Sequence, residues 1–97
     1  MSENILRFPT ERCRGGLQSL LAQAYRFAAE HPRFAYAGVD RAPGLTTLMF
    51  RDLGPGRDGG FSAHVREDGV AHALDAAGGF LAGGRTLETV LARVAGR

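Results

Sequence analysis

The chain has 97 residues, enough for one domain and too few for two. Its apolar fraction of 44% is ordinary for a globular protein and argues against wholesale disorder. Ten acidic residues offset twelve basic ones, all arginine, so the net charge of +2 is smaller than a dedicated nucleic-acid-binding domain usually carries.

The one cysteine, Cys13, excludes an intramolecular disulfide and a zinc site built on cysteines. Arg12 and Arg14 would favour its thiolate, but an ordinary unpaired cysteine is the simpler interpretation. Residues 1–8 lack the pattern of a signal peptide, and no apolar run approaches the roughly 20 residues of a membrane span. We therefore expect a cytoplasmic protein with no membrane association, cofactor or metal.

The first part of the chain predicts a tail followed by a helix. Residues 1–12 are expected to form a loose tail or a short edge strand, and residues 13–97 a single α+β domain. From about Gly16 to Glu30, apolar residues recur at the i, i+3, i+4 and i+7 spacing of a helix with one buried face. Pro32 ends this helix, because the residue before a proline avoids the α region.

Residues 33–51 predict a first β-hairpin that turns at Pro43-Gly44. With a turn of two or four residues, alternation puts four large apolar residues on one face: Phe34, Tyr36, Leu45 and Met49. The other face carries Ala35, Ala37, Val39, Thr46, Leu48 and Phe50. If both helices cover this second face, the first is an exposed apolar patch, which monomers rarely leave bare. We expect a partner interface there, the alternative being one helix on each face.

Asp68-Gly69 predicts the turn of a second hairpin over residues 61–75. A turn of even length places most of the apolar residues of this hairpin on one face of the sheet, and we expect an even turn for that reason. His64 and His72 then lie on opposite faces, so they are not expected to share a metal ion. His64 meets Asp75 on the outer face if the turn is long, but a nucleophile is missing from that pair.

Gly78–Thr86 nearly matches a phosphate-binding loop, because from Gly79 it has the pattern G-x-x-x-x-G-R-T with arginine in place of lysine. The neighbouring strands form antiparallel hairpins instead of parallel βαβ units, which argues against nucleotide hydrolysis. We expect a flexible joint into a second helix capped by Thr86. The start of that helix is a possible anion site, formed by Gly84, Arg85, Thr86 and Leu87.

The predicted fold is a single two-layer α+β domain of order α-β-β-β-β-α, with two helices packed on a four-stranded, mostly antiparallel sheet. The leading hypothesis is a small non-catalytic protein of bacterial type that binds a second copy of itself, or another protein as adaptor, inhibitor or regulator. The alternative is a nucleic-acid-associated regulator that uses Arg7, Arg12 and Arg14. The third hypothesis is a small enzyme with a site near His64, Asp75 and the loop Gly78–Thr86.

Overall fold

The structure, a computed structural model, describes residues 16–54 and 59–96. Their elements are, in chain order, α1 (Leu17–Glu30), β1 (Phe34–Ala42), β2 (Leu45–Asp52), β3 (Gly60–Arg66), β4 (Ala71–Asp75), β5 (Phe80–Gly84) and α2 (Leu87–Ala95). No helix within these two ranges is long and apolar enough to cross a membrane. The predicted tail and Cys13 lie outside the described residues.

The five strands form one antiparallel sheet in the order β1-β2-β3-β4-β5, and both helices pack on the same face of it. This confirms the two-layer α+β fold, but the sheet has five strands instead of the predicted four. The additional strand, β5, forms where the sequence predicted a flexible joint. It pairs along β4, with Gly84 opposite Ala71 and Ala82 opposite Ala73.

A short turn held by one carboxylate leads from β4 into β5. Asp75 accepts hydrogen bonds from the backbone amides of Ala77 and Gly79, at 2.9 and 2.7 Å. Gly78 lies in the left-handed region with a φ of 92°, which suits glycine. The glycines of this stretch thus serve a tight turn and a strand.

Four phenylalanines form the centre of the core between α1 and the sheet. Phe27 of α1 lies with its ring centroid 5.5 Å from that of Phe34, 5.4 Å from that of Phe50 and 6.0 Å from that of Phe61. All four side chains are buried. Helix α2 adds its apolar stripe to the same core, with Leu87, Val90, Leu91 and Val94.

A β-bulge at Ala37 changes the faces of the first hairpin. The turn has two residues, with Ala42 opposite Leu45, as predicted. Farther along the strand Tyr36 lies opposite Phe50 but Gly38 lies opposite Met49, so Ala37 is the extra residue. One extra residue moves everything beyond it to the other face. The prediction that Phe34 and Tyr36 share a face with Leu45 and Met49 is therefore wrong.

The second hairpin has a turn of odd length, which corrects the predicted even one. The amide of Arg66 donates to the carbonyl of Val70, which leaves residues 67–69 as a three-residue turn. The third residue of such a turn usually has a left-handed backbone conformation, and Gly69, with a φ of 94°, has that conformation here. Consequently His64 lies directly opposite His72, and the two histidines share a face instead of lying on opposite ones.

Candidate functional site on the open face of the sheet

The sheet face opposite both helices is the candidate site, and we call it the open face. Paired residues on adjacent strands share a face, so the register defines its members. They are Ala35, Gly38, Asp40 and Ala42 of β1, Leu45, Thr47, Met49 and Arg51 of β2, Ser62, His64 and Arg66 of β3, His72 and Leu74 of β4, and Phe80 of β5. No element within residues 16–54 and 59–96 covers this surface, although four of its apolar side chains are large, those of Leu45, Met49, Leu74 and Phe80.

One row of the open face runs across all five strands at mid-height and begins on β1 with Asp40, which lies opposite Thr47. Thr47 lies opposite His64, His64 opposite His72, and His72 opposite Gly83. A side chain on Gly83 would meet the ring of Phe80 at 3.1 Å, so that ring lies over the glycine at the end of the row. The absence of a side chain at Gly83 therefore makes room for Phe80 beside His72.

His64 is held at both ring nitrogens by hydroxyl groups. Thr47 Oγ1 lies 3.1 Å from Nδ1, and Ser62 Oγ lies 2.8 Å from Nε2. A hydroxyl can donate or accept, so this pair of partners suits the neutral ring in either tautomer and the charged ring as well. The imidazole is thereby fixed in orientation by β2 on one side and by its own strand on the other.

The two imidazoles are stacked. Their ring centroids are 4.9 Å apart and their planes differ by 14°. Burial, and secondarily the charge that His72 would carry, lower the pKa of His64 below its usual value of about 6.5. The ring of His64 is therefore neutral at pH 7, with a lone pair on one nitrogen.

The reactive groups of this row are its hydroxyls and imidazoles. Ser62 and His64 are close enough for the imidazole to take the hydroxyl proton, as in a nucleophile and base pair. The group at the other nitrogen of His64 is the neutral hydroxyl of Thr47, where hydrolytic triads have a carboxylate. Two adjacent imidazoles are also typical ligands for transition metals.

The predicted pair of His64 and Asp75 does not form. Asp75 lies opposite Phe61, whose side chain is in the core, so the sheet separates its carboxylate from the imidazole. That carboxylate is instead bound to the amides of its own turn. The odd turn explains the difference, because it moves the β4 residues by one position relative to β3.

The four predicted interface residues are divided between the two faces. Leu45 and Met49 lie on the open face, where Met49 is 37% exposed. Phe34 is buried in the core, and Tyr36 packs against the core cluster and against the ring of Tyr25. Phe80 was not among the predicted residues, yet it is 67% exposed and is the most exposed of the large apolar side chains described.

The predicted anion-binding residues lie at the start of α2 with most of their groups already engaged. Gly84 is paired with Ala71, and Leu87 is buried. The hydroxyl of Thr86 accepts a hydrogen bond from the amide of Thr89. Arg85 is exposed. The three arginines predicted to contact nucleic acid, Arg7, Arg12 and Arg14, lie outside the described residues.

A cleft at one end of the sheet has a volume of about 340 Å³. Arg33 and Asp52 line it and bind each other, with Arg33 Nη2 3.0 Å from Asp52 Oδ2. Their hydrogen bond is the main cause that raises the pKa of Arg33. Asp75, also in the lining, is held by its turn. The charges of this cleft are thus engaged within the chain.

Sequence reasoning missed the histidine row although one signal for it was present. Glycine at the third position of Glu67-Asp68-Gly69 is typical of a three-residue turn, and such a turn places His64 opposite His72. The apolar character of Val70 and Leu74 favoured the other register. Both of these residues turn out to lie on the side away from the core.

No protein-family model matches the chain, and no curated protein or solved structure shows significant similarity to it.

Proposed function

We propose that the protein functions by binding a second copy of itself through the open face of the sheet. The observation that carries this proposal is that both helices lie on one face while Met49 and Phe80 are exposed on the other. Large apolar side chains gathered on a flat, uncovered surface are typical of a protein interface. Aromatic residues and methionine are also enriched in such interfaces.

The charge distribution favours a second copy over a charged partner. The centre of the open face consists of hydroxyl, imidazole and apolar groups. Its charged residues lie at the margin, with Asp40 on the edge strand β1 and Arg51 and Arg66 toward the strand ends. In a two-fold dimer the same surface meets itself, so an uncharged centre brings no like charges together. Two arginines at the margin are few for a surface that binds nucleic acid.

The size of the face also fits a dimer. Five strands about 4.8 Å apart and about 20 Å long give a projected area of roughly 480 Å². The accessible area of a surface corrugated by side chains exceeds its projection, which brings it toward the roughly 800 Å² per partner of a standard interface. The open face is therefore large enough for a stable dimer without help from other surfaces.

Light scattering coupled to gel filtration tests this proposal. The protein should elute with about twice the chain mass of 10.3 kDa at micromolar concentration. Met49→Asp and Phe80→Asp should each give monomers, because two copies of a carboxylate would be desolvated in an apolar interface. Tyr25→Asp is the matched control, since Tyr25 is exposed on helix α1, away from the open face. A monomeric wild-type protein, or a dimer that survives both open-face substitutions, would contradict the proposal.

A further inference from the structure

We propose that His64 and His72 together bind a divalent transition-metal ion, with Zn²⁺ as the physiological example, on the open face of the sheet. The register places the two imidazoles directly opposite each other on adjacent strands. Their ring centroids are 4.9 Å apart, and both side chains are half-buried. Zn²⁺, Cu²⁺ and Ni²⁺ all bind readily to imidazole nitrogens.

His72 has ring nitrogens available for an ion. Across residues 16–54 and 59–96, neither of its nitrogens has a hydrogen-bonding partner. Its ring stacks on the face of His64, and the ring of Phe80 lies over Gly83, the residue opposite His72 on β5. An imidazole that is partly buried, oriented and without a polar partner is well suited to donate a lone pair.

His64 has the environment of a metal ligand whose second ring nitrogen is hydrogen-bonded to a neighbouring side chain. Histidines that bind metals usually donate their other ring N–H to an oxygen, which fixes the tautomer and the orientation of the ring. Thr47 Oγ1 lies 3.1 Å from Nδ1 and can accept that hydrogen, which directs the lone pair of His64 to Nε2. Ser62 Oγ, 2.8 Å from Nε2, would release this nitrogen to the ion and hydrogen-bond a water bound to the metal.

Binding of one ion requires the two rings to leave their stacked arrangement. Zinc–nitrogen bonds of about 2.0–2.1 Å at a tetrahedral angle place the two nitrogens roughly 3.4 Å apart. Because each zinc–nitrogen bond lies in the plane of its imidazole, the two stacked rings, with centroids 4.9 Å apart, must tilt out of their parallel arrangement until both Nε2 lone pairs point at the ion. Because the open face is uncovered within the described residues, this tilt meets no packed layer.

In a single copy of the chain the remaining coordination positions are open to water, and in the proposed dimer they would face the second copy. No group of three or more histidine, cysteine, aspartate or glutamate side chains lies within reach of one ion among the described residues. A chelate of two imidazoles with open positions binds an ion reversibly and leaves room for further ligands. Neutral imidazoles are required, and the lowered pKa of His64 keeps its ring neutral at pH 7.

Calorimetric titration of the full chain with Zn²⁺ at pH 7.5, in a buffer that does not bind the metal, tests the site. Saturable binding is expected, and His64→Ala and His72→Ala should each weaken it at least tenfold. Thr47→Val retains both ligands and should still weaken binding about tenfold, because it removes the support of the His64 ring. Cobalt absorption in the visible range provides a second measurement that reports nitrogen ligation directly.

Two control variants separate this site from the other metal-binding groups of the chain. Cys13→Ser and His31→Gln remove the remaining thiol and imidazole, and Zn²⁺ affinity should be unchanged in both. Circular dichroism establishes that every variant retains its fold. The proposal is overturned if the wild type shows no saturable binding, if binding survives His64→Ala/His72→Ala, or if Cys13→Ser abolishes it.

Discussion

The imidazole of His64 stacks on that of His72 with 4.9 Å between ring centroids, so a charge on His72 disfavours a proton on His64. Burial and this neighbour lower the pKa of His64 in the folded state. In the unfolded chain the ring titrates near 6.5. As the pH falls below that value, the unfolded state binds protons first, and the free energy of unfolding decreases.

We therefore expect the contribution of His64 to the free energy of unfolding to be complete above about pH 6.5. This contribution declines as the pH falls through the lower pKa of folded His64. Urea unfolding between pH 5 and pH 8 measures the slope of the free energy of unfolding against pH. His64→Gln should flatten it. His72→Gln should reduce it only in part, because burial, the larger cause of the shift, remains. A slope that is unchanged in His64→Gln would contradict this assignment.

The bulge at Ala37 leads to a prediction about chain length. Tyr36 lies opposite Phe50 and Gly38 opposite Met49, so Ala37 has no partner across the hairpin. Deletion of Ala37 should close the bulge, keep Tyr36 on the core side and leave the fold intact by circular dichroism. Deletion of Thr47, which is paired on both sides with Asp40 and His64, is the control and should prevent folding. Loss of the fold on deletion of Ala37 would show that the bulge is required.

The helices were predictable because their signals are local. The apolar spacing from Gly16 to Glu30 and the cap at Thr86 depend on residues close together in sequence, and the structure has helices at Leu17–Glu30 and Leu87–Ala95. The two hairpins were also recognised from their turn residues. Their faces were not, because a bulge or one additional turn residue reverses a face without changing the composition of either strand.

Strand β5 was unpredictable for a different reason. Glycine has low intrinsic preference for strands, and Phe80–Gly84 ends in two of them. Its pairing depends on β4, and the room that Gly83 leaves for the Phe80 ring depends on tertiary structure. The candidate site was hard to predict for the same reason, because the residues that share the open face are set by the register of four strand pairs. From sequence, Leu45 and Met49 were placed on this face and His64 on the outer face of its hairpin, whereas His72 and Phe80 were not placed there.

The aromatic core predicts a large effect at Phe27. Its ring contacts those of Phe34, Phe50 and Phe61, and its side chain is only 5% exposed. Phe27→Ala should lower the free energy of unfolding by about 3–5 kcal/mol, because it removes buried surface and leaves a cavity. Tyr25→Ala, two positions away on the exposed side of α1, should cost about 1 kcal/mol through loss of its contact with Tyr36. Urea unfolding of both variants provides the comparison, and equal effects would contradict the described orientation of α1.

Gly60 is predicted to accept no side chain. A Cβ atom there would collide with the backbone carbonyl oxygen of Phe50 and would also lie 2.8 Å from the Cα atom of Arg51. Since the obstacle is backbone of the adjacent strand, relief requires the strands to separate, and Gly60→Ala should cost about 2–3 kcal/mol. Gly96→Ala is the control, because its Cβ would meet neighbours at an ordinary 3.6 Å. Thermal unfolding distinguishes the two, and a Gly60→Ala protein as stable as wild type would argue against this β2–β3 register.

The cap of α2 provides a last prediction. The hydroxyl of Thr86 accepts a hydrogen bond of 3.2 Å from the amide of Thr89, one of the donors that a helix start leaves unpaired. Thr86→Ala should lower the free energy of unfolding by about 1 kcal/mol. Thr86→Ser keeps the oxygen and should retain nearly all of the stability. Because α2 packs against β4 and β5 on the core face of the sheet, the Ala variant should also increase amide hydrogen exchange in β5. Equal stability of the Ala and Ser variants would show that water replaces the threonine hydroxyl at this helix end.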